Sequence, residues 1–418
     1  MRIRKRLRET YIAHVLYGAS VSLLVVGSGL AQESFDDEFE GEEPEVNTPD
    51  IDPEFVEPTP GQTEPPPVEK PCVTPAEIYA NDCIGKVVMR YTPRFELWSD
   101  HADKERFIYL PKLEATPSSK SHIDVADPNR WVFPEGTRLY KTFSRFVDGK
   151  LRRIETRVIS KQRNDKNVLE WKMQAYRWNT AQTAAELVGD DGAFVTTDGH
   201  ETVDENGKLV AAPATYQHWI PSQADCADCH LHRADKPEPI LGFDAIQLAD
   251  SGMLKKLIDE GRLYNSRATS STPEKPNGIT FTADDAKLLP NDSVAREALG
   301  YLHGNCGHCH GGPNPQNGLS LWSEIGLKDP LLSNAYRTGK CKKAYPTFAI
   351  DPHNAKESAI YKRMNTRAPH ADPPTLQWPQ MPPIATFDRH EDGLASIEAW
   401  INALPASEQT CSVTPPPR

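Results

Sequence analysis

Apolar and polar positions alternate along the chain in two successive patterns, the first of which is typical of β-strands. Between residues 72 and 220, short runs rich in β-branched and aromatic side chains, such as Arg106–Leu110 and Arg138–Phe143, predict strands. The dipeptide Asp148-Gly149 separates two such runs and is typical of a two-residue hairpin turn. Short strands separated by turns predict an antiparallel, sandwich-like β domain. Further strand and turn signals are Trp131–Phe133, Val168–Trp178 and Asn206-Gly207.

In the second pattern the apolar positions follow a helical period. Helices are predicted over Phe243–Leu263 and Ser293–Leu302. A third helix, Asp392–Leu404, carries an apolar stripe that includes Trp400. The fold class predicted is therefore α+β and multidomain, with the strand-rich domain first and an all-α domain last. The expected boundaries are a β-rich domain over 72–265 that includes a first cysteine motif and a helix, a polar linker over 266–290, a helical domain over 291–412 and a tail over 413–418.

The first 71 residues differ in composition from the rest. Five Lys and Arg residues precede an apolar run and small residues before Gln32, which predicts a cleaved signal peptide over 1–31. The alternative is an uncleaved membrane anchor, because the run approaches spanning length. Residues 32–71 hold 14 acidic residues, one lysine and many prolines, which predicts a disordered tether. This tether carries most of the net charge of −12, so the folded part is nearly neutral and nothing indicates nucleic-acid binding.

Two cysteine motifs carry the clearest chemical signal in the chain. Each has the spacing Cys-x-x-Cys-His, which is typical of covalent c-type haem attachment. Two thiols three positions apart can react with the two vinyl groups of one porphyrin, and the adjacent histidine can then reach the iron. The alternatives are a zinc site, which needs four ligands, or a disulfide. The motifs are Cys226, Cys229 and His230, in strand-like surroundings, and Cys306, Cys309 and His310, after a predicted helix.

Residues 293–404 combine a helix, the second motif, Met381-Pro-Pro and a closing helix with Trp400. This combination resembles a class I cytochrome c domain. In that family the methionine before proline is the sixth ligand of the haem iron. The resemblance therefore implies His310 and Met381 as the axial pair, a ligation that raises the reduction potential. Met364 is the nearest competing methionine.

Upstream segments extend the resemblance over about residues 75–410. The segments are Tyr91–Lys104, Trp131–Thr137, Glu155–Arg157 and Ile220–Cys226. They resemble a family of exported di-haem c-type cytochromes, in which a β-rich region precedes the first motif and a cytochrome c domain follows. The resemblance implies two haem c groups, but it gives no physiological role.

The sixth ligand of the first haem is not fixed by any motif. His218 is the leading candidate because it lies shortly before Cys226, and an open sixth position is the alternative. The other candidates are His200, His232, Met173 and His101.

Four cysteines lie outside the motifs, and in an oxidising compartment they suggest two disulfides with three possible connectivities. We favour Cys72–Cys83 with Cys341–Cys411.

Three functions fit these features. The first is one-electron transfer in the periplasm, or outside the cell, with redox proteins as partners and no membrane-spanning segment after cleavage of the signal peptide. The second is a haem oxidoreductase such as a peroxidase, with an open position at the first haem. The third is a β domain that binds a substrate or partner through exposed aromatics such as Trp98, Trp178 and Trp219, fused to an electron-relay cytochrome.

Overall fold

The computed structural model describes residues 72–203, 209–231, 238–272, 276–311, 315–344, 347–367, 379–383 and 386–405. The segment Pro71–Arg418 forms one compact unit. The predicted signal peptide, the predicted tether and the tail lie outside the described residues. Within the part of the chain that is described, no helix combines the length and the apolar character needed to span a bilayer.

A six-stranded sheet dominates the N-terminal part. Its strand order is β1-β2-β4-β5-β6-β7, and every neighbouring pair is antiparallel. The antiparallel, β-rich character predicted for this region is therefore confirmed. The strands are β1 Met89–Arg90, β2 Asp103–Tyr109, β3 Ile123–Asp124, β4 Arg138–Val147, β5 Lys150–Arg163, β6 Leu169–Trp178, β7 Ala185–Leu187, β8 Ala193–Asp198, β9 Thr202–Val203, β10 Leu209–Val210, β11 Thr215–Ile220, β12 Leu263–Tyr264, β13 Lys343–Ala344 and β14 Thr347–Phe348.

The hairpin turn predicted at Asp148-Gly149 is confirmed. It joins β4 to β5, and both residues have positive φ, 52° and 69°, as a two-residue turn of this hand requires. The carboxylate of Asp198 accepts hydrogen bonds from both turn N–H groups, at 3.0 and 2.8 Å. The turn predicted at 206–207 lies outside the described residues, although β9 and β10 on either side of it pair antiparallel.

The strand predicted at Trp131–Phe133 is wrong. Only one isolated bridge, between Asp124 and Val132, forms there. Trp131 and Phe133 are both buried in an apolar cluster with Phe243. Their aromatic character therefore reflects packing in the core and not pairing in a ladder.

Smaller elements surround the main sheet. Strands β8 and β11 form a separate antiparallel pair, with β8 beside β4, and β12 pairs parallel with β3. The helices are α1 Pro75–Ala80, α2 Gln223–His230, α3 Ala245–Leu248, α4 Met253–Asp259, α5 Ser293–Asn305, α6 Asn334–Gly339, α7 Ala359–Asn365 and α8 Glu391–Ala403. Single 3-10 turns occur at Pro276–Gly278, Gln316–Gly318, Pro330–Leu332 and Ala355–Glu357.

One helix prediction needs correction. The single helix expected over Phe243–Leu263 is instead α3 and α4, because Gly252 between them adopts a left-handed conformation with φ 74°. The strand-like surroundings expected for the first motif are confirmed, since β11 directly precedes it and β6 packs on it, but the motif itself lies on the short helix α2. There Ser222 and Asp225 form a capping box that begins the helix.

The C-terminal part is built around α5 and α8, which pack on each other. Their core includes the fully buried Leu299 and Ile397 together with Trp400. Part of the predicted linker also contributes to cores. Phe281 is buried with the β-rich part, and Leu289 is buried with α5 and α8.

Phe95, from the segment before β2, packs directly on α5. A Cβ atom on Gly300 would lie 2.1 Å from the Phe95 ring, and one on Gly304 would lie 2.5 Å from its carbonyl oxygen. Both glycines are therefore required for this contact. The side-chain amide of Gln247 in α3 holds the Phe95 backbone, accepting from its N–H at 2.8 Å and donating to its oxygen at 3.0 Å.

Candidate functional site

The first motif occupies one face of α2. Because residues three and four positions apart lie on the same side of a helix, Cys226 faces the same way as Cys229 and His230. The N–H of Cys226 donates to the carbonyl oxygen of Ser222 at 3.1 Å, so the first cysteine lies in the opening turn. Neither cysteine is joined in a disulfide. The helix therefore presents two thiols and an imidazole together.

The ring of His230 is held in one tautomer. Its Nδ1 atom lies 2.7 Å from the carbonyl oxygen of Pro239. A carbonyl oxygen can only accept, so Nδ1 carries the proton and Nε2 keeps its lone pair. This is the arrangement that orients a metal-binding histidine.

The carbonyl that holds His230 is itself anchored. Glu238, the residue before Pro239, is buried and accepts from the ammonium of Lys161 at 2.5 Å and from the indole N–H of Trp171. Lys161 also donates to the Phe133 carbonyl oxygen at 2.8 Å. The main sheet thereby fixes the position of the acceptor that orients the first motif's histidine.

The second motif follows α5. The N–H of Cys309 donates to the carbonyl oxygen of Cys306 at 3.1 Å, and that of His310 donates to the same oxygen at 2.8 Å. This tight turn brings the three side chains of the motif together. Gly307 is required inside the turn, because a Cβ atom there would lie 2.8 Å from the His303 carbonyl oxygen.

His310 repeats the tautomer of His230. Its Nδ1 atom lies 3.3 Å from the carbonyl oxygen of Gln316, so Nδ1 donates and Nε2 keeps its lone pair. In both motifs the nitrogen that could bind a metal thus belongs to a ring held by a backbone carbonyl from a later loop.

The chemistry of the thiols argues against thiolate catalysis. Burial, with a contribution from Cys309, raises the pKa of Cys306 to about 12. Burial also raises the pKa of Cys226, although the neighbouring Arg157 opposes the shift. Cysteines that exchange disulfides at neutral pH have lowered pKa values. These two thiols therefore remain protonated.

Met381 and its competitor Met364 lie in different environments. Met364 is 3% exposed in α7 and packs in the core shared by α5 and α8. Met381 is half-buried in a short segment, where its N–H donates to the Arg363 carbonyl oxygen at 3.0 Å. The side chain of Gln380 fixes the same segment by donating to the carbonyl oxygens of Pro382 and Thr386, both at 3.1 Å. Met364 is thus a core residue, whereas Met381 lies in a braced loop.

Two side chains connect the Met381 loop to the second motif. Arg367, which lies 3.5 Å from the Met381 carbonyl oxygen, also donates to the carbonyl oxygen of Asp388 at 2.9 Å. The indole N–H of Trp98 donates to that same Asp388 oxygen at 3.1 Å. The backbone N–H of Trp98 in turn donates to Asn305, the residue before Cys306, at 2.7 Å.

Tyr301 supports the same proximity. Burial raises the pKa of its phenol, Cys306 raises it further and Arg367 lowers it. The phenol is therefore near both the first thiol of the second motif and the guanidinium that braces the Met381 loop.

A cluster with metal-ligand spacing lies beside Trp98. Among the described residues, His101, His200 and Asp388 are the only three such side chains with ligand atoms within 4.8 Å of one another. The guanidinium of Arg145 lies 2.8 Å from Nδ1 of His200, and Nε2 of His200 lies 2.8 Å from Asp388. Arginine only donates, so Nδ1 accepts and Nε2 donates. Since neither nitrogen of His200 offers a lone pair, this is a hydrogen-bonded network and not a metal site.

The sixth-ligand candidates for the first motif are placed differently. Both nitrogens of His200 are engaged, and His101 is exposed beside it. Met173 is buried in β6 at 3% exposure. His218 is buried in β11, where its Nε2 atom lies 3.0 Å from a carboxylate oxygen of Glu155. His232 lies outside the described residues.

The remaining cysteines are disulfide-bonded where the structure describes them. Cys72 and Cys83 are joined, as expected. Cys341 is also disulfide-bonded, and its expected partner Cys411 lies outside the described residues.

The exposed-aromatic expectation is wrong for Trp178, which is 7% exposed and donates its indole N–H to Thr156 at 2.9 Å. Trp98 and Trp219 are half-buried. Of the three rings, only Trp178 is therefore removed from a possible binding surface.

Sequence reasoning found the two motifs but missed the groups that orient them. The carbonyl oxygens of Pro239 and Gln316 belong to backbone and carry no residue signature, and the role of Glu238 depends on a strand far away in the sequence. A comparison of the chain with protein-family models, curated proteins and solved structures gave no match. What the two sites do is therefore inferred from the geometry of their own residues.

Proposed function

We propose that this chain is an exported electron-transfer protein that binds two haem c groups covalently, one at each Cys-x-x-Cys-His motif. The observation that carries the proposal is the shared state of His230 and His310. In each motif two clustered thiols accompany an imidazole whose Nδ1 donates to a backbone carbonyl, so in the neutral ring Nε2 is the nitrogen that could bind a metal. Among known cysteine motifs this spacing, ending in histidine, is that of haem attachment.

The residues of the chain would supply attachment, axial ligation and insulation. Each thiol would add across a vinyl group, forming one sulfur–carbon bond while its proton goes to the other vinyl carbon. When bound, haem supplies an iron that cycles between the ferrous and ferric states. His230 and His310 would bind iron through Nε2, and the braced loop would offer the Met381 thioether at the second site. The core of α5 and α8 would exclude water from that site.

The helical part would then be a class I cytochrome c domain. Its supporting features are the packing of α5 on α8, the motif directly after α5 and the methionine loop that precedes α8. Thioether ligation would favour the ferrous state at this haem and raise its potential. The partners would be redox proteins in the periplasm.

A redox titration of the mature protein, produced in a host that attaches haem c, tests this function. We expect the haem absorbance in the visible spectrum to change in two one-electron waves as the potential is varied. Replacing Cys306 and Cys309 with Ala should remove one wave, and replacing Cys226 and Cys229 should remove the other. The control is a variant in which Cys72 and Cys83, which form a disulfide, are both replaced with Ser. This variant should keep both waves. A single wave in the wild-type protein would refute the two-haem proposal.

A further inference from the structure

One buried polar group adjoins the first motif and has no part in the proposal so far. It consists of Glu155 and Arg157 on β5 and His218 on β11. Glu155 is completely buried, and its two oxygens accept from the Arg157 guanidinium at 2.6 and 3.0 Å. The Glu155 oxygen at 2.6 Å also lies 3.0 Å from Nε2 of His218.

The position of this group beside the first motif follows from its electrostatics and from chain connectivity. Burial acts to lower the pKa of Arg157, but Glu155 raises it, and Cys226 and Cys229 add to that rise. The guanidinium therefore lies within electrostatic range of both thiols. The strand that carries His218 ends at residue 220, and α2 begins at residue 223. His218 thus enters the site directly ahead of the motif helix.

The tautomer of His218 is fixed by the carboxylate. Both oxygens of Glu155 accept from the Arg157 guanidinium, which can only donate, so the carboxylate also accepts from His218. Nε2 of His218 therefore carries the proton and donates. Nδ1 keeps its lone pair, and it has no hydrogen-bond partner among the described residues.

A buried imidazole that donates one N–H to a carboxylate and leaves the other nitrogen open is the usual arrangement of a metal-ligating histidine. Among the described candidates, His200 has both nitrogens engaged, His101 is exposed, and Met173 carries a thioether in place of an imidazole. We infer that His218 is the sixth ligand of the first haem, bound through Nδ1 and positioned by Glu155 and Arg157. The inference rests on the proposed attachment of haem at the first motif.

Two bound imidazoles would make the first haem six-coordinate and low-spin, with a lower potential than a haem with histidine and methionine ligands. The first site would then be an electron carrier and not an open site for peroxide. The two haems would also differ in potential, which gives electron flow between them a direction.

Electron paramagnetic resonance and redox titration of the full-length mature protein test the inference, with intact mass measured on every sample. We expect two low-spin haems in the wild-type protein. His218→Ala should convert one of the two to high-spin while both remain attached, and exogenous imidazole should restore the low-spin signal. His218→Met should stay low-spin and raise the potential of the first haem. A merely structural role would give neither the imidazole rescue nor the shift in potential.

His303 provides a matched control. It is also buried and paired with a carboxylate, with its Nε2 3.1 Å from Asp244, but its Nδ1 accepts from the Ser323 N–H at 3.2 Å. His303→Gln should therefore leave the first haem low-spin. If His218→Ala and His218→Met both keep the wild-type spectrum and potentials, or if the wild-type first haem is high-spin, the inference is wrong. Absence of the first haem by mass would instead refute the proposed function.

Discussion

Gly300→Ala tests how the β-rich part holds the helix before the second motif. Helix propensity alone predicts that the free energy of unfolding rises by about 1 kcal/mol, because alanine replaces glycine inside α5. The structure predicts the opposite sign, since the new methyl group would lie 2.1 Å from the Phe95 ring. The Phe95 ring is buried, and Gln247 fixes the Phe95 backbone with two hydrogen bonds. Phe95 therefore cannot move without losing buried contacts or these hydrogen bonds.

The size of the effect follows from these contacts. Overpacking of a core costs about 1–3 kcal/mol, and each hydrogen bond to Gln247 that is lost adds about 1 kcal/mol. After subtraction of the propensity gain, Gly300→Ala should lower the free energy of unfolding by about 2 kcal/mol. The measurement is urea denaturation followed by far-ultraviolet circular dichroism.

A second background isolates the contact with Phe95. Phe95→Ala removes the ring and should itself cost about 3–5 kcal/mol. In that background the methyl group has space, so Gly300→Ala should become neutral or stabilising by up to about 1 kcal/mol. If Gly300→Ala stabilises the otherwise wild-type protein, the packing of Phe95 on α5 is not as described.

Three further outcomes are expected. Met381→Ala should lower the reduction potential of the second haem and open its iron to small ligands. Met364→Leu changes a core residue and should leave that potential unchanged. Equal effects of the two substitutions on the potential would contradict the assignment of Met381 as a ligand. Removing the disulfide by Cys72→Ser with Cys83→Ser should lower the free energy of unfolding by about 2–3 kcal/mol, and an unchanged denaturation midpoint would show that the bond does not constrain the fold. Trp98→Phe keeps an aromatic ring but loses part of the indole and its hydrogen bond to the segment before α8, so it should cost about 1–2 kcal/mol in the same urea assay. A loss above about 3 kcal/mol would mean that the indole does more than pack and donate once.

The sequence predicted elements well wherever one local signal dominates. The turn at Asp148-Gly149 was predictable because both residues tolerate positive φ, and the helix ending at Asn305 was predictable from its apolar period. Trp131–Phe133 was misjudged because aromatic residues fill a core as readily as they fill a strand. The break at Gly252 was missed because the apolar period continues across it.

The residues of the two sites follow the same rule, because local patterns were predictable and partners from distant segments were not. Cysteine and histidine spacing marks both motifs, and no other information is needed to find them. The partners of His230 and His218 come from backbone or from distant strands, so only the fold brings Pro239 and Glu155 to these rings. A buried carboxylate that holds an imidazole has no local pattern in the sequence. That is why His218 could be named as one candidate among several but not chosen.

Covalent haem at both motifs is the central claim, and the intact mass of the mature protein under denaturing and reducing conditions tests it most directly. A host with a haem c attachment system should yield a chain that retains the added mass of two haem groups. Peptides that contain Cys226 with Cys229, and Cys306 with Cys309, should each carry one of them. A chain whose mass equals that of its amino acids alone would contradict the account.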